Sequence, residues 1–137
     1  MLLTTMAGAQ PAGCVISTHP LFFGVYDVAA TSTAITTARM DLRCTLPASL
    51  TLGLQSANSS AASQMRSMRH TTTIDSIAYA LFQDAAQSLV WGDGLRQAGR
   101  SLRVSGGTSI FVYGAIPAGQ DPAIGEYRDH ISVLVLP

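Results

Sequence analysis

The run Tyr127–Leu136, YRDHISVLVL, is apolar on both faces: Ile131, Val133 and Val135 point one way, Leu134 and Leu136 the other. A period of two is that of a β-strand, and a strand apolar on both faces must be covered on both. Its edges also need neighbours, because an unpaired apolar edge is a template for aggregation. The chain must therefore supply strands to flank this one, or another molecule must.

The upstream sequence supplies several. Cys14–Phe23 (CVISTHPLFF) reads as a strand interrupted at Pro20, which suits an edge strand or one that changes partner. Ser32–Cys44 alternates, with Ile35, Met40, Leu42 and Cys44 expected on one face after a break near Thr37. Leu50–Leu54 alternates cleanly, and strand signals return at Arg100–Val104 and Ser109–Ile116. Residues 55–73 read as a polar loop rich in Ser, Ala and Thr. Short strands spaced by Gly, Pro and Asp turns point to an all-β sandwich. One segment conflicts: Ile74, Ile77, Ala78, Leu81, Phe82, Ala85 and Leu89 fall at helical spacing. No repeat or linker divides the 137 residues, which suit a single domain.

The composition excludes several functions. Eight arginines balance eight carboxylates, so no basic field is available to hold nucleic acid. No stretch reaches the roughly 18–20 apolar residues of a membrane span. His19, His70 and His130 are scattered without metal-ligand spacing, and satisfied or surface histidines are the expectation. No nucleophile elbow, phosphate-cradling glycine loop or zinc-protease motif occurs. Asp84, Asp93, Asp121, Glu126 and Asp129 lie near turn residues, where carboxylates bond backbone N–H groups. Trp91, beside Gly92-Asp93-Gly94, reads as a core plug at a strand end rather than a sugar-stacking platform. Cys14 and Cys44 leave two buried thiols and a disulfide both open. A disulfide would contribute about 3–4 kcal/mol in the chain-entropy model, given an oxidising compartment.

Local patterns then add up in order. Cys14 leads into Phe23-Gly24-Val25-Tyr26-Asp27, and Cys44 closes a Thr-rich strand. Met65–Arg69 (MRSMR) follows, then the run from Tyr79 to Ala86 (YALFQDAA) leading into Val90-Trp91-Gly92-Asp93-Gly94. Residues 112–120 (VYGAIPAGQ) and 125–129 (GEYRD) complete the set. In these features the chain resembles the spore coat protein U domain family, which includes subunits of archaic chaperone–usher pili.

The resemblance implies an incomplete immunoglobulin-like β-sandwich lacking its final strand, over residues 14–137. It implies that Ile77–Phe82 is a strand, with at most a helical turn at Asp84–Ser88, and that Cys14 and Cys44 form a disulfide. It further implies a non-enzymatic structural subunit, without cofactor or metal, assembled on a bacterial surface as a pilus or spore coat. Its expected partners are a periplasmic chaperone, an outer-membrane usher and neighbouring subunits. A chaperone strand and then the N-terminal extension of the next subunit would enter an apolar groove at Ile16, Phe23, Ile131, Val133 and Val135. A self-complete secreted β-sandwich that binds carbohydrate or a surface, through Trp91 or the Ser59–His70 loop, is the alternative.

Residues 1–13 depart from the family pattern. Ala7-Gly8-Ala9 is a small-x-small cleavage pattern after a short apolar stretch, so the segment reads as a signal-peptide remnant. Cleavage after Ala9 would leave no donor segment, which fits a terminal or tip subunit. The spacing of Leu3, Thr5, Ala7 and Ala9 is poor for a donor strand.

Overall fold

The computed structural model describes residues 2–8, 13–56, 65–95 and 99–136. The strands are β1 (Leu2–Gly8), β2 (Cys14–Thr18), β3 (Leu21–Gly24), β4 (Ala34–Ser56), β5 (Arg66–His70), β6 (Ser76–Phe82), β7 (Arg100–Ile116) and β8 (Tyr127–Leu136). The fold is all-β, with no helix among the described residues.

The sheet runs β2-β4-β7-β6-β5-β8-β1-β3, and β4 also pairs with β8. That extra pairing closes a circuit through β4, β7, β6, β5 and β8, around which the core forms. β4 makes the closure possible by its length of 23 residues. Its first part pairs β7 from Ala34 to Cys44, and its last part, Thr51–Ser56, pairs β8 from Leu136 back to Ile131. The β4–β7 register shifts between Cys44 and Ala48, across Pro47, which has no N–H for the ladder.

Alternation decides which side chains enter the core. Ala38, Met40, Leu42, Cys44, Leu50, Leu52 and Leu54 of β4 are buried, as are Val104, Ile110, Val112 and Ile116 of β7. Cys14 stands opposite Cys44 in the β2–β4 ladder, and the two are joined by a disulfide. β2 and β3 are separated at His19-Pro20, where the chain leaves β4 and moves towards the other end of the sheet.

Three expectations change. Ile35 is 61% exposed, because the ladder from Ala34 to Cys44 is regular and no break turns Ile35 inward. The two strands expected at Ser32–Cys44 and Leu50–Leu54 are one, and so are those at Arg100–Val104 and Ser109–Ile116. Within the expected loop of residues 55–73, Arg66–His70 forms β5 and buries Arg66 and Met68, while residues 57–64 lie outside the described set. The helical spacing around residues 74–89 is accidental. Ile77, Tyr79 and Leu81 are buried on β6, whereas Ile74 and Leu89 of the same stripe are exposed. The following bend is a turn in which Asp84 accepts from the Ser88 and Leu89 amides.

Candidate strand-binding site

β8 and β3 frame a slot in the sheet. β8 turns Tyr127, Asp129, Ile131, Val133 and Val135 inward, all buried. β3 contributes Leu21, fully buried, and Phe23, whose ring meets Tyr79 edge-on with centroids 6.0 Å apart. Between them lies β1. It runs parallel to β8 from Leu2↔Tyr127 to Gly8↔Val133, and antiparallel to β3 at Leu2–Thr4. Because Ile131–Val133 pairs β4 as well as β1, β8 is hydrogen-bonded on both edges. The parallel register sets Leu2, Thr4, Met6 and Gly8 opposite the inward Tyr127, Asp129, Ile131 and Val133.

Of the expected groove residues, Ile131 and Val133 lie directly beside β1, and Phe23 falls at the register shift between β1 and β3. Val135 continues the same face beyond the last β1 pair. Ile16 is buried elsewhere, on β2 opposite Leu42 of β4, and pairs with neither β1 nor β8.

Behind the slot sits a polar cluster that sequence reasoning missed. Arg66 is only 5% exposed, and its guanidinium donates to Ser56 Oγ at 2.6 Å, Leu54 O at 2.8 Å and Trp91 O at 2.7 Å. Burial pulls its pKa down, while Tyr79, Asp129 and Asp93 act in the opposite direction. The buried Tyr79 hydroxyl donates to Asp129 Oδ2. Asp129 was expected near a turn, but it lies within β8 and is 4% exposed. Its Oδ1 has no hydrogen-bond partner among the described residues. The only hint in the sequence was Asp129 at an inward position of YRDHISVLVL, in step with Ile131 and Val133.

Trp91 is fully buried and donates Nε1–H to Leu52 O at 2.9 Å, so it is a core residue with no face for a sugar. The Gly92 carbonyl accepts from the Leu54 amide at 2.9 Å, which ties this segment to β4. Among the described residues no cluster of three or more His, Cys, Asp or Glu could hold a metal. His70 is satisfied by the Thr72 and Thr73 amides and by Ile124 O.

Burial raises the Tyr79 phenol well above its ordinary value of 10.0, with the Asp129 charge adding to it, and burial raises Tyr127 as well. A group whose pKa is raised by folding contributes stability below its unfolded pKa and loses it as pH rises. Urea midpoints should therefore fall above about pH 10, and Tyr79→Phe should flatten that fall while costing about 1–3 kcal/mol at neutral pH. An unchanged alkaline slope in Tyr79→Phe would contradict this assignment.

The fold is an all-β domain in which the leading strand β1 lies between β8 and β3. The chain belongs to the Spore Coat Protein U domain family, whose model matches residues 2–134. It is 31% identical over 140 residues to "Protein U" of Myxococcus xanthus, covering 92% of this chain and 76% of that protein. A solved chain described as "Chaperone-tip adhesin complex is vital for synergistic activation of CFA/I fimbriae biogenesis" superposes with a TM-score of 0.59 at 13% identity. That superposition covers 91% of this chain but 42% of the other, and at such identity it concerns the fold alone.

Proposed function

We propose that the protein is a non-enzymatic structural subunit of a bacterial surface assembly, a pilus or coat, joined to its neighbours by strand complementation in the β8–β3 slot. The observation that carries this reading is β1 itself. A segment that precedes the disulfide-tied body supplies backbone pairing along β8 from Tyr127 to Val133, which is strand addition to a sheet edge. Without it, an apolar stretch of β8 would have a bare edge.

Under this reading residues 14–137 form an immunoglobulin-like body that lacks its final strand, and residues 1–13 are a separable leading segment. Cleavage after Ala9 would remove β1 and leave the slot open for a strand from another molecule. A periplasmic chaperone strand and then the extension of a neighbouring subunit would occupy the slot in turn, with an outer-membrane usher on the route through the periplasm to the cell surface. Family membership and the fold shared with a fimbrial adhesin complex support this placement. The test is a chain beginning at Gln10, which should need a supplied Leu2–Gly8 peptide in order to stay folded.

A further inference from the structure

We infer that the outer face of β2, β4 and β7 binds an acidic oligosaccharide, with Arg43 taking its carboxylate. Strand register sets this face out in rows. Val15 stands opposite Arg43 and Arg43 opposite Gly107, and Ser17, Asp41 and Ser109 form the next row. One row further on, Arg39 stands opposite Phe111. Alternation buries Ile16, Leu42, Ile110 and Val112, so the rows face outward, with Val15 60% and Phe111 43% exposed. Val15, Ser17, Arg43, Gly107, Thr108 and Ser109 line an open cavity of about 630 Å³ there, within the usual size of ligand clefts.

The charges on this face are unequally satisfied. Asp41 accepts from Ser109 Oγ at 2.8 Å and meets Arg39 Nε at 3.2 Å and His19 Nε2 at 3.3 Å. The Ser109 hydrogen bond, with His19 and Arg39, holds its carboxyl below the usual carboxylate range, so its charge is already paired. Arg43 is exposed, and its side chain has no ion-pair or hydrogen-bond partner among the described residues. Its guanidinium lies over Gly107, where an added β-carbon would stand 3.5 Å from Nη2. With no side chain at position 107 the guanidinium fork stays uncovered, and such a fork pairs a carboxylate bidentately.

The rest of the face suits a sugar chain. Ser17 and Thr108 add hydroxyls, which both donate and accept. Val15 and Phe111 offer apolar surface to the C–H face of a sugar ring. Gly107 and Phe111 lie about 13 Å apart along the strand, so a ligand that reaches both is an oligomer. An extended peptide fits less well, because Met40–Cys44 of β4 is paired by β2 on one edge and β7 on the other. The face shares no residue with the β8–β3 slot, so it is tested apart from strand complementation.

Amide NMR shifts of the full chain, titrated with a galacturonic acid oligomer and with a neutral glucose oligomer of equal length, test the inference. The acidic oligomer should shift Val15, Arg43, Gly107 and Ser109, and the neutral one should not. Arg43→Gln should weaken binding about 10-fold or more while leaving the thermal melt unchanged, and Arg43→Lys should recover only part of the loss. Phe111→Ala should weaken binding a few-fold. No shift with the acidic oligomer, equal shifts with the neutral one, or undiminished affinity in Arg43→Gln would overturn the inference. Polyglutamate bound as tightly at the same amides would assign the face to an acidic peptide and overturn the sugar.

Discussion

Arg66→Met should lower the unfolding free energy by about 3–5 kcal/mol in urea titrations, the range for breaking a buried charged network from one side. The methionine fills similar volume but donates nothing. Leu54 O and Trp91 O would each lose a donor held at 2.7–2.8 Å, and Ser56 would lose its partner. Asp129 and Asp93, both buried, would lose the positive charge that offsets them. Arg66→Lys should recover only part of the loss, because an ammonium cannot reproduce the guanidinium fork that serves β4 and the Trp91 segment at once. A loss below about 1 kcal/mol for Arg66→Met would mean that the cluster does not tie these elements together.

Gly53→Ala should be comparably severe, at about 3 kcal/mol or more. A β-carbon at position 53 would stand 1.8 Å from Asp93 O and 2.3 Å from its carbonyl carbon, and both are backbone atoms that no rotamer can move aside. Relief requires lifting the segment 91–94 off β4. That would strain the bonds from the Leu54 amide to Gly92 O and from Trp91 Nε1 to Leu52 O. The Trp91 fluorescence spectrum should shift as the ring gains water. A variant with wild-type stability and an unshifted spectrum would contradict this packing.

Much of the fold was legible because period-two alternation survives in long strands. Tyr127–Leu136 was read with the bounds it has, since its inward Tyr, Ile and Val residues leave no other pattern. β6 was legible only through the likeness to a family, because Ile74 and Leu89 complete a helical stripe that periodicity cannot distinguish from chance. β5 was hidden by its brevity and by Arg66, a charged residue at a buried position. Such a residue is placed by partners on β4 and at Trp91 that no local window contains. The slot was half legible. Ile131 and Val133 announce a face in need of cover, but LLTTMAG has no clean apolar alternation by which to recognise β1 as a strand.

The most direct test of strand complementation is to separate strand from body. A chain beginning at Gln10 and a synthetic Leu2–Gly8 peptide, LLTTMAG, would be prepared with the Cys14–Cys44 disulfide intact, then followed by size-exclusion chromatography and thermal melting. The account predicts that the shortened chain aggregates or melts broadly alone, and that with peptide it becomes a one-to-one complex with a cooperative melt. A shortened chain that stays monomeric and melts cooperatively at the temperature of the full chain, with or without peptide, would contradict it.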